Sequence, residues 1–341
     1  MRVAVETQYA VGTSTGLGAY ASGLCEALKR RGDVDAVDLH DSRFDVWRFD
    51  RRVYWDQIRA PVLARRAGAD IVHFTGGTVP VFAPRRVVVT VHDLVWLRGA
   101  NRGLPYVRWY FGKLQSSLVR RAAAIVVDTE AARADVADGL RISPDRIVVA
   151  GAAAGEEFFS IARRPDTAAP FVLSAGTVEE RKDLITAVRA IARVPHLRLV
   201  SVGPHTPYAA AVMREAELLH VSARVDMRGY VDEATLLALY SRAGALVFPS
   251  RYEGFGLPPL QAQAAGLPVV AAHGAVIEEV LGENAWYARP GDESAFAAQL
   301  ETVLRGGVEV EARVAAARIH ARAFTWDAVA ERMSVVYRSL M

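Results

Sequence analysis

The sequence predicts an α/β protein built from two successive doubly wound domains, and three observations lead to this prediction. Short β-branched runs alternate with longer segments whose apolar residues recur at helical spacing. The β-branched runs are apolar on both faces, which is typical of parallel strands covered by helices on both sides of a sheet. The alternation begins twice, on either side of a segment at 151–170 that is rich in alanine, glycine and proline. We therefore expect two nucleotide-fold domains that face each other across a cleft.

Length and composition fit this class of protein. A chain of 341 residues has room for about two domains, and 52% hydrophobic with 23% charged residues is ordinary for a globular protein. Cys25 is the single cysteine, so an internal disulfide cannot form and nothing points to an oxidising compartment. The first apolar run is cut short at Glu6, which argues against a signal peptide, and no apolar run approaches the ~20 residues that span a bilayer. We expect a cytoplasmic protein.

The net charge of +3 is too small to indicate a nucleic-acid partner, but it averages over unlike regions. Residues 51–121 carry 13 Lys and Arg against 3 Asp and Glu, a net charge of +10, and the remaining 270 residues sum to −7. Aromatic and basic residues mix at 98–121, which could place this segment at a membrane interface beside anionic lipids. The alternative is an amphipathic core helix with its basic face in water, so peripheral contact with the inner face of the membrane stays open.

The predicted elements follow the chain in order. The first domain is predicted to have strands at 3–5, 34–39, 70–74, 87–92, 124–128 and 147–149, and helices at 20–29, 106–121 and 130–140. The second is predicted to have strands at 171–174, 197–202, 225–227, 245–248 and 269–271, and helices at 184–194 and 233–242. The last helix, at 326–340, follows Thr325, whose hydroxyl suits an N-cap. We place the domains at 1–160 and 161–324, with the terminal helix 325–341 joined to the first.

The loop before the first helix contains Gly16, Leu17 and Gly18, which open a G-x-G-x-x-A pattern. In dinucleotide-binding folds the first glycine follows strand one directly, whereas about ten residues separate Val5 from Gly16 here. Asp38 nevertheless lies where a ribose-binding acid would be expected. A long Gly/Thr/Ser loop that opens a helix can also receive an anion or a sugar on its backbone amides. We favour a substrate-cleft loop, with a dinucleotide site and a plain helix start as alternatives.

His92 and Asp93 follow the predicted strand at 87–91. The carboxyl ends of parallel strands face the ligand crevice of an open α/β sheet, so a polar pair at this place is a candidate for the site. An imidazole that is satisfied by backbone groups at a strand end is equally compatible with these two residues.

A second candidate follows the strand at 171–174. Gly176 leaves room for a ligand to approach the backbone closely. Arg181 and Lys182 precede a predicted helix and can neutralise a diphosphate, Arg through its planar fork and Lys as a point charge. The alternative is a solvated charge cluster in which Glu179 and Glu180 pair with the two cations.

The most specific stretch is 248–262. A strand ends near its start, a glycine-bearing loop follows, and Pro258 suits the first turn of a helix. Glu253 could bind sugar hydroxyls, and Gln261 could reach a ribose. Backbone amides aimed along the helix axis make an anion site, and here they belong to Gly254, Phe255, Gly256 and Leu257.

Residues 251–272 resemble the signature of the retaining family-4 glycosyltransferases, which have the GT-B fold of two facing Rossmann-like domains with a donor/acceptor cleft between them. Further motifs extend the resemblance over nearly the whole chain, namely Thr15-Gly16-Leu17-Gly18, Val91-His92-Asp93-Leu94, Gly176 with Arg181-Lys182, Arg228-Gly229-Tyr230-Val231-Asp232 and Phe324-Thr325-Trp326. The chain is most similar to mannosyl- and rhamnosyltransferase-like members that build surface polysaccharides and glycoconjugates. The resemblance implies transfer of a hexose, with a mannose-like donor favoured, from a nucleotide-diphosphate sugar to a hydroxyl of a glycan, a lipid-linked glycan or a small glycoconjugate, with retention of anomeric configuration.

The resemblance also implies roles for the candidate residues. Arg181 and Lys182 would hold the donor diphosphate in place of a metal, so neither a metal nor another cofactor is expected. Glu253 would contact the donor hexose as the first acid of the family's Glu-x7-Glu motif, and the amides at 255–257 would bind phosphate and sugar. His92 would contact the transferred sugar or stabilise charge near its anomeric carbon. The base would lie near Tyr230 and Val231.

Two residues depart from the family's pattern. Gln261 stands where the second acid of the motif usually binds ribose, and an amide makes a neutral bond of about 1 kcal/mol in place of a charge-assisted bond of roughly 1.5–3 kcal/mol. Asp183 stands where asparagine is common, and it brings negative charge beside the predicted diphosphate-binding residues, although it could also cap the next helix. A non-catalytic nucleotide-sugar-binding protein and, less favoured, a sugar-nucleotide epimerase therefore remain alternatives.

Overall fold

The computed structural model describes residues 1–12, 15–44, 46–83, 86–97 and 105–341, and the chain divides into two compact units. Unit 1 comprises Met1–Ala153 together with Thr325–Met341, and unit 2 comprises Ala154–Phe324. Each unit contains a six-stranded sheet in which the strands pair in parallel, so the predicted α/β class with two doubly wound sheets is confirmed.

The sheet of unit 1 has the strand order β2-β1-β3-β4-β5-β6. Its strands are β1 (Arg2–Glu6), β2 (Asp35–Leu39), β3 (Ile71–Phe74), β4 (Val87–Thr90), β5 (Ala124–Val127) and β6 (Ile147–Val149). The six strands predicted for this domain are confirmed, with ends that differ by at most two residues. In the register, Phe74 pairs with Val89 and Thr90 pairs with Val126. Strands β3, β4 and β5 therefore end side by side at one edge of the sheet.

Helices cover both faces of this sheet. They are α1 (Gly16–Arg31), α2 (Phe49–Tyr54), α3 (Ala60–Arg66), α4 (Pro105–Arg108), α5 (Ser116–Val119) and α6 (Glu130–Leu140). Two π-helical segments, Trp55–Arg59 and Trp109–Gln115, join α2 to α3 and α4 to α5. Short 3₁₀ turns occur at Gln8–Ala10 and Pro144–Arg146. Within the part of the chain that is described, no helix is long and apolar enough to cross a bilayer.

The sheet of unit 2 has the strand order β12-β11-β10-β7-β8-β9. Its strands are β7 (Phe171–Ala175), β8 (Arg198–Val202), β9 (Val225–Met227), β10 (Ala245–Phe248), β11 (Val269–Ala272) and β12 (Trp286–Ala288). The sequence predicts the first five and misses β12. This strand spans only Trp286–Ala288 and is rich in aromatic and alanine residues, so it lacks the β-branched run that marks the others.

The helices of unit 2 follow its strands. They are α7 (Glu156–Phe159), α8 (Leu184–Arg193), α9 (Tyr208–Leu218), α10 (Glu233–Arg242), α11 (Leu257–Ala264), α12 (Ala275–Leu281), α13 (Glu293–Arg305) and α14 (Val308–Ala321), with 3₁₀ turns at Glu180–Lys182, Ser222–Arg224 and Gly282–Asn284. Asp232 caps α10 by accepting a hydrogen bond from the amide of Thr235 at 2.8 Å.

The division between the units falls before the predicted boundary at residue 160. Helix α7 lies within the predicted linker at 151–170, and its Phe158 and Phe159 are buried. The ring of Phe158 packs edge-on against Tyr240 at 5.2 Å between centroids. The contact of Phe158 with Tyr240 ties α7 to α10, and the segment that follows Ala153 belongs to unit 2.

The last helix, α15 (Trp326–Ser339), returns to unit 1 and packs on α1. Thr325 caps it as predicted, since its hydroxyl accepts a hydrogen bond from the amide of Ala328 at 3.2 Å. Gly23 on α1 makes the packing possible, because a Cβ at this position would lie 2.3 Å from the indole ring of Trp326. A glycine inside a helix costs about 1 kcal/mol relative to alanine, and here it makes room for a large aromatic ring.

Candidate active site

In unit 2, the strands β7, β8 and β9 end on three glycines that approach one another closely. The amide of Gly176 donates to the carbonyl of Val202 at 2.9 Å, and the amide of Gly203 donates to the carbonyl of Gly229 at 2.7 Å. A Cβ on Gly203 would lie 2.2 Å from the carbonyl oxygen of Gly176, and its φ of +134° disfavours other residues as well. Gly203 was not predicted, although it follows its strand much as Gly176 follows β7. Gly176, Gly203 and Gly229 together form what we call the glycine floor, and the space beside Gly176 and Gly229 is open, with no described atom beyond the adjacent residues closer than 3.8 Å to a Cβ built there.

Beside this floor, the structure brings Arg181, Lys182 and Glu253 together. The 3₁₀ turn after β7 carries the two cations, and the loop after β10 carries the carboxylate. Lys182 Nζ donates to Glu253 Oε1 at 2.5 Å, and Arg181 Nη1 donates to Glu253 Oε2 at 2.9 Å. The Glu253 side chain is only 7% exposed. One carboxylate therefore bridges both predicted diphosphate-binding residues.

The environment fixes the charge of Glu253. Burial raises the pKa of its carboxyl, but the attraction of Lys182 and Arg181 outweighs burial and holds the pKa below its ordinary value. Burial also lowers the pKa of the Lys182 ammonium, and the attraction of Glu253 offsets only part of that effect. Lys182 lies 5.1 Å from the centre of the Phe248 ring and lines a cavity of about 10 Å³ with Gly176. That volume holds about one water molecule.

Arg181 is held from several sides. Its Nη1 donates to the carbonyl of Tyr252 at 2.8 Å, and its Nη2 lies 2.8 Å from Glu179. The alternative of a charge cluster is therefore correct for Glu179, whereas Glu180 is exposed. The two cations and the two carboxylates Glu179 and Glu253 make the cluster formally neutral. A diphosphate would have to share the cations with Glu253.

The carboxylate of Asp183 forms its ion pair with Arg251 and not with Arg181 or Lys182. Its carboxylate lies 2.9 Å from Arg251 Nε and accepts a hydrogen bond from the Thr186 hydroxyl at 2.8 Å. Its backbone is left-handed, with φ of +47°. The expectation that its side chain caps α8 is wrong, because no backbone amide of that helix donates to it. Its bond to the Thr186 hydroxyl takes the place of the cap.

All four predicted residues of the loop before α11, 254–257, carry a backbone N–H, whereas Pro258 and Pro259, which follow them in the first turn of the helix, have none. Gly256 precedes this helix with φ of +95°, and a Cβ there would lie 2.7 Å from Ile277 Cδ1. The ring of Phe255 is buried, so this residue can offer a ligand its backbone only. Gly254 is also buried in this loop.

Gln261 lies on the second turn of α11. Its Oε1 is 3.4 Å from the hydroxyl of Tyr240, which also donates to the carbonyl of Pro258 at 3.2 Å. The side chain is half-buried. Tyr230 is exposed and Val231 is half-buried in the loop after β9, next to Gly229 of the glycine floor.

In unit 1, His92 follows β4 and makes two hydrogen bonds with neighbouring strand ends. Its Nδ1 lies 2.6 Å from Asp128 Oδ2, and its Nε2 lies 3.0 Å from the carbonyl of Thr75. The Asp128 side chain is 1% exposed. Neither Asp128 nor Thr75 was predicted, although each follows a β-branched run at the carboxyl end of its strand, as His92 does. The predicted alternative of an imidazole bound by backbone is correct for Nε2.

The other predicted residues of unit 1 serve local structure. Gly16, Leu17 and Gly18 form the first turn of α1, where Gly18 is buried and Leu17 packs against the core. Thr13 and Ser14 of the same predicted loop lie outside the described residues. Asp93 Oδ1 accepts a hydrogen bond from the amide of Val95 at 3.1 Å. Asp38 forms an ion pair with Lys29 on α1, so its carboxylate is already bound within the chain.

A separate cavity of about 450 Å³ lies in unit 2 beside β12, and its lining includes His273, Trp286 and Arg313. None of the predicted site residues lines this cavity. Across the described ranges, His, Cys, Asp and Glu side chains do not gather in groups of three or more that could hold a metal ion.

Both halves of the chain match known protein families. Residues 15–151 match the family described as Glycosyltransferase Family 4, and residues 156–320 match the family described as Glycosyl transferases group 1. The serotype-specific mannosyltransferase WbdA of Escherichia coli is 31% identical over 224 residues, which is 58% of this chain and 27% of WbdA. The chain thus spans about a quarter of WbdA.

A second relative and a solved structure match a larger share of this chain, and this chain covers most of their own length. The O-antigen chain mannosyltransferase RfbU of Salmonella typhimurium is 26% identical over 320 residues, which is 85% of this chain and 88% of RfbU. The structure of Anabaena HepE, in complex with UDP and glucose, matches with a TM-score of 0.74 at 16% identity, covering 99% of this chain and 100% of HepE. With two matched domains that span most of its length and this shared fold, the chain belongs to the family-4 glycosyltransferases of GT-B fold.

Proposed function

We propose that the protein transfers a hexose from a nucleotide-diphosphate sugar to a hydroxyl of a glycan, a lipid-linked glycan or a small glycoconjugate. The observation that carries the proposal is the contact of Arg181 and Lys182 with Glu253 beside the glycine floor. Mannose is the favoured sugar because the relatives WbdA and RfbU are named as mannosyltransferases. A nucleoside diphosphate donor is supported by UDP in HepE.

The two cations have a direct chemical use in this reaction. As the bond between the anomeric carbon and the diphosphate breaks, negative charge builds on the diphosphate, and preorganised positive charge stabilises it. Arg181 and Lys182 would supply this charge, so the reaction would need no metal. Once a diphosphate shares these cations, the carboxylate of Glu253 becomes available to accept hydrogen bonds from hydroxyls of the hexose. Amides of Phe255, Gly256 and Leu257 would bind the phosphate and the sugar.

We further propose that transfer retains the anomeric configuration. The acceptor oxygen would attack from the face that the diphosphate leaves, the bond to the diphosphate oxygen would break, and the acceptor proton would pass to that departing oxygen. His92 would contact the transferred sugar or act on charge near it.

The experiment that tests this function is a transfer assay with a panel of nucleotide sugars and saccharide acceptors. Arg181→Ala, Lys182→Ala and Glu253→Ala are each expected to lower turnover by roughly 100-fold or more, the range for loss of a preorganised electrostatic group. Arg193→Ala is the matched control, because Arg193 forms an exposed ion pair with Glu293 at the far end of α8. Unchanged turnover in all three site variants would contradict the assignment.

Gln261 motivates a second candidate, a nucleotide-sugar-binding protein without turnover. The amide replaces a charge-assisted bond by a neutral one, a loss of about 0.5–2 kcal/mol or roughly 2- to 30-fold in donor affinity. That range weakens binding without abolishing it, so we favour the enzyme. Calorimetry with UDP- and GDP-sugars beside a hydrolysis assay separates the two functions. Tight binding with neither hydrolysis nor transfer would support the second.

We also propose that the protein is cytoplasmic and touches the inner face of the membrane through α4 and the π-helical segment after it. Tyr106 and Trp109 are 54% and 55% exposed, with exposed Arg108 and Lys113 beside them. Tyr110 is buried and donates to Asp56 at 3.1 Å. One face of this helix thus belongs to the core, and the other combines aromatic and basic side chains. Residues 98–104 of the predicted segment lie outside the described residues.

Liposome flotation tests this contact. Binding to vesicles with anionic lipid at low salt, lost on Trp109→Ala or Tyr106→Ala and absent with neutral vesicles, is the expected result. Val308→Ala is the control, since Val308 is an apolar residue of unit 2 that is even more exposed, at 83%. A protein that stays unbound at low salt would exclude peripheral attachment.

A further inference from the structure

The parallel register of unit 1 places three polar groups at neighbouring strand ends. Because Thr90 pairs with Val126, His92 and Asp128 each lie two residues beyond a matched pair. Thr75 directly follows β3 on the other side of β4. The imidazole of His92 is therefore held between a carboxylate and a carbonyl by the sheet itself.

Both of these neighbours accept hydrogen bonds. The carbonyl of Thr75 faces Nε2 at 3.0 Å, and Asp128 Oδ2 faces Nδ1 at 2.6 Å. A neutral imidazole has one N–H and one lone pair, so it satisfies both oxygens only if Asp128 carries the second proton. Against the effect of burial, the attraction of Asp128 raises the pKa of His92 above its ordinary value, so the shared proton is placed on the ring. An imidazolium satisfies both oxygens.

The buried carboxylate needs that positive charge. Asp128 is almost fully buried, and among the described residues its second oxygen, Oδ1, has no hydrogen-bond partner. An isolated buried carboxylate is costly unless an opposite charge accompanies it. The short distance of 2.6 Å to Nδ1 is typical of a charge-assisted hydrogen bond.

His73, a second buried histidine of the same sheet, shows the contrast. Its Nδ1 lies 2.7 Å from the hydroxyl of Tyr337, and its Nε2 lies 2.7 Å from the hydroxyl of Thr90. Hydroxyls both donate and accept, so a neutral ring is satisfied there. Burial lowers the pKa of His73 to about 3, and the charge of His92 adds to this effect.

Several groups face His92 from the elements around it. Asp128 lies at the end of β5, Asp93 follows in the same loop, His73 lies on β3, and the ring of Tyr20 on α1 packs edge-on at 4.6 Å. Burial raises the pKa of Tyr20, and the positive charge of Arg332 on α15 acts to lower it. Burial lowers the pKa of His92, but the attraction of Asp128 outweighs burial and raises this pKa above its ordinary value, with Asp93 adding to it.

We propose that Asp128 is a positioning residue that holds His92 as an imidazolium with both N–H groups bound inside the protein, so that His92 serves the transfer reaction as a fixed positive charge. This inference rests on the proposed function. With both N–H groups bound within unit 1, the ring neither accepts a proton nor donates an N–H to the sugar, so it acts through its charge alone.

The charge state is tested by NMR of protein labelled with ¹⁵N at the histidine rings, with His92→Gln used to assign the signals. At about pH 7.5, where a free imidazole is mostly neutral, both ring nitrogens of His92 are expected to carry protons. Asp128→Asn is expected to leave one protonated nitrogen and to move the titration midpoint down. The neutral ring of His73 serves as an internal reference in both proteins. A wild-type His92 protonated on only one ring nitrogen would overturn the proposal.

The catalytic consequence is tested by the pH profile of transfer. Asp128→Asn is expected to lower kcat by about 10- to 100-fold near pH 8, the range for residues that orient a functional group, with donor KM within about twofold. The deficit should shrink as the pH falls through the lowered titration midpoint of the variant, because His92 is then protonated without its partner. A deficit of equal size at every pH would overturn the role, since loss of structure alone has no such trend.

The two proposals fail separately. If wild-type protein transfers no sugar from any donor, the proposed function fails, while the NMR experiment still decides the charge of His92. If Asp128→Asn does not fold, the wild-type spectrum and Asp128→Glu, which keeps the carboxylate, decide instead. Asp128→Glu should keep both ring nitrogens protonated, and a neutral His92 in that variant would overturn the proposal.

Discussion

Lys182 Nζ and Glu253 Oε1 lie 2.5 Å apart, although 71 positions of the chain separate the two residues. The contact joins the turn after β7 to the loop after β10, and these two strands are direct neighbours in the sheet. Glu253 thereby occupies the cations that a diphosphate would use. Under the proposed function, a nucleotide that binds these cations would therefore have to displace the Glu253 carboxylate from them.

Glu253→Gln removes the competing charge while keeping the shape of the side chain. We expect UDP or GDP to bind roughly tenfold more tightly, which corresponds to 1.4 kcal/mol, while transfer falls about 100-fold or more because the hexose loses its carboxylate. Calorimetry and the transfer assay measure the two effects. Glu179→Gln is the matched control, since Glu179 also pairs with Arg181 and should leave transfer within about threefold. Weaker nucleotide binding in Glu253→Gln would contradict this displacement.

Gly203→Ala tests the glycine floor. The new Cβ would lie 2.2 Å from the backbone oxygen of Gly176 at φ of +134°, so we expect a loss of about 2 kcal/mol or more in the free energy of unfolding, with nucleotide affinity reduced as well. Gly274→Ala is the control because nothing lies within 4 Å of its Cβ, and its stability should change by less than about 0.5 kcal/mol. Denaturant unfolding with and without nucleotide measures both. Equal stability in the two variants would contradict a close approach of the backbones.

Gln261→Glu restores the acid that the family usually has at this position. If the side chain reaches the ribose, a charge-assisted bond replaces a neutral one, and donor affinity should rise by about 2- to 30-fold. Gln299→Glu adds the same charge beside the cavity near β12 and should leave affinity unchanged. Thermal shift with nucleotide sugars, confirmed by calorimetry, measures the change. Equal affinity in Gln261→Glu and wild type would place the ribose elsewhere.

The ion pair of His92 predicts a pH dependence of stability. The pKa of His92 in the folded protein is raised above its ordinary value, so protonation stabilises the fold. This contribution is complete below about pH 6.5 and is lost as the pH rises through the folded pKa. The difference in unfolding free energy between wild type and His92→Gln should therefore be largest at low pH and shrink at high pH. Asp128→Asn should show the same trend, and a difference that grows with pH would contradict the ion pair.

The fold was predictable because it depends on a local pattern. Of the twelve strands in the described part of the chain, eleven were predicted from short β-branched or apolar runs, and the exception, Trp286–Ala288, pairs with β11 through a short aromatic segment. Cap residues such as Thr325 are equally local, because a hydroxyl needs only the amide three residues later. Strands and helix caps of this kind depend on only a few neighbouring residues of the sequence.

The candidate site was predictable as a set of residues but not as a set of contacts. Strand-end positions and motif spacing pointed to His92, Lys182 and Glu253, yet their partners depend on which strands are neighbours. Asp128 lies 36 positions from His92, and only the β4–β5 register brings them together. The charge of each group, and hence its chemistry, depends on its ion pairs and hydrogen bonds. The spacing of residues along the chain does not predict these contacts.

The last helix has a consequence for the site of unit 1. Trp326 packs edge-on against Tyr20 at 5.8 Å, Tyr20 packs against His92, and Tyr337 binds His73. The segment at 326–341 thus supplies aromatic side chains that contact Tyr20 and His73, and Tyr20 in turn packs against His92. Because this segment follows unit 2 along the chain, the surroundings of His92 are completed during synthesis only after the whole of unit 2 has been made.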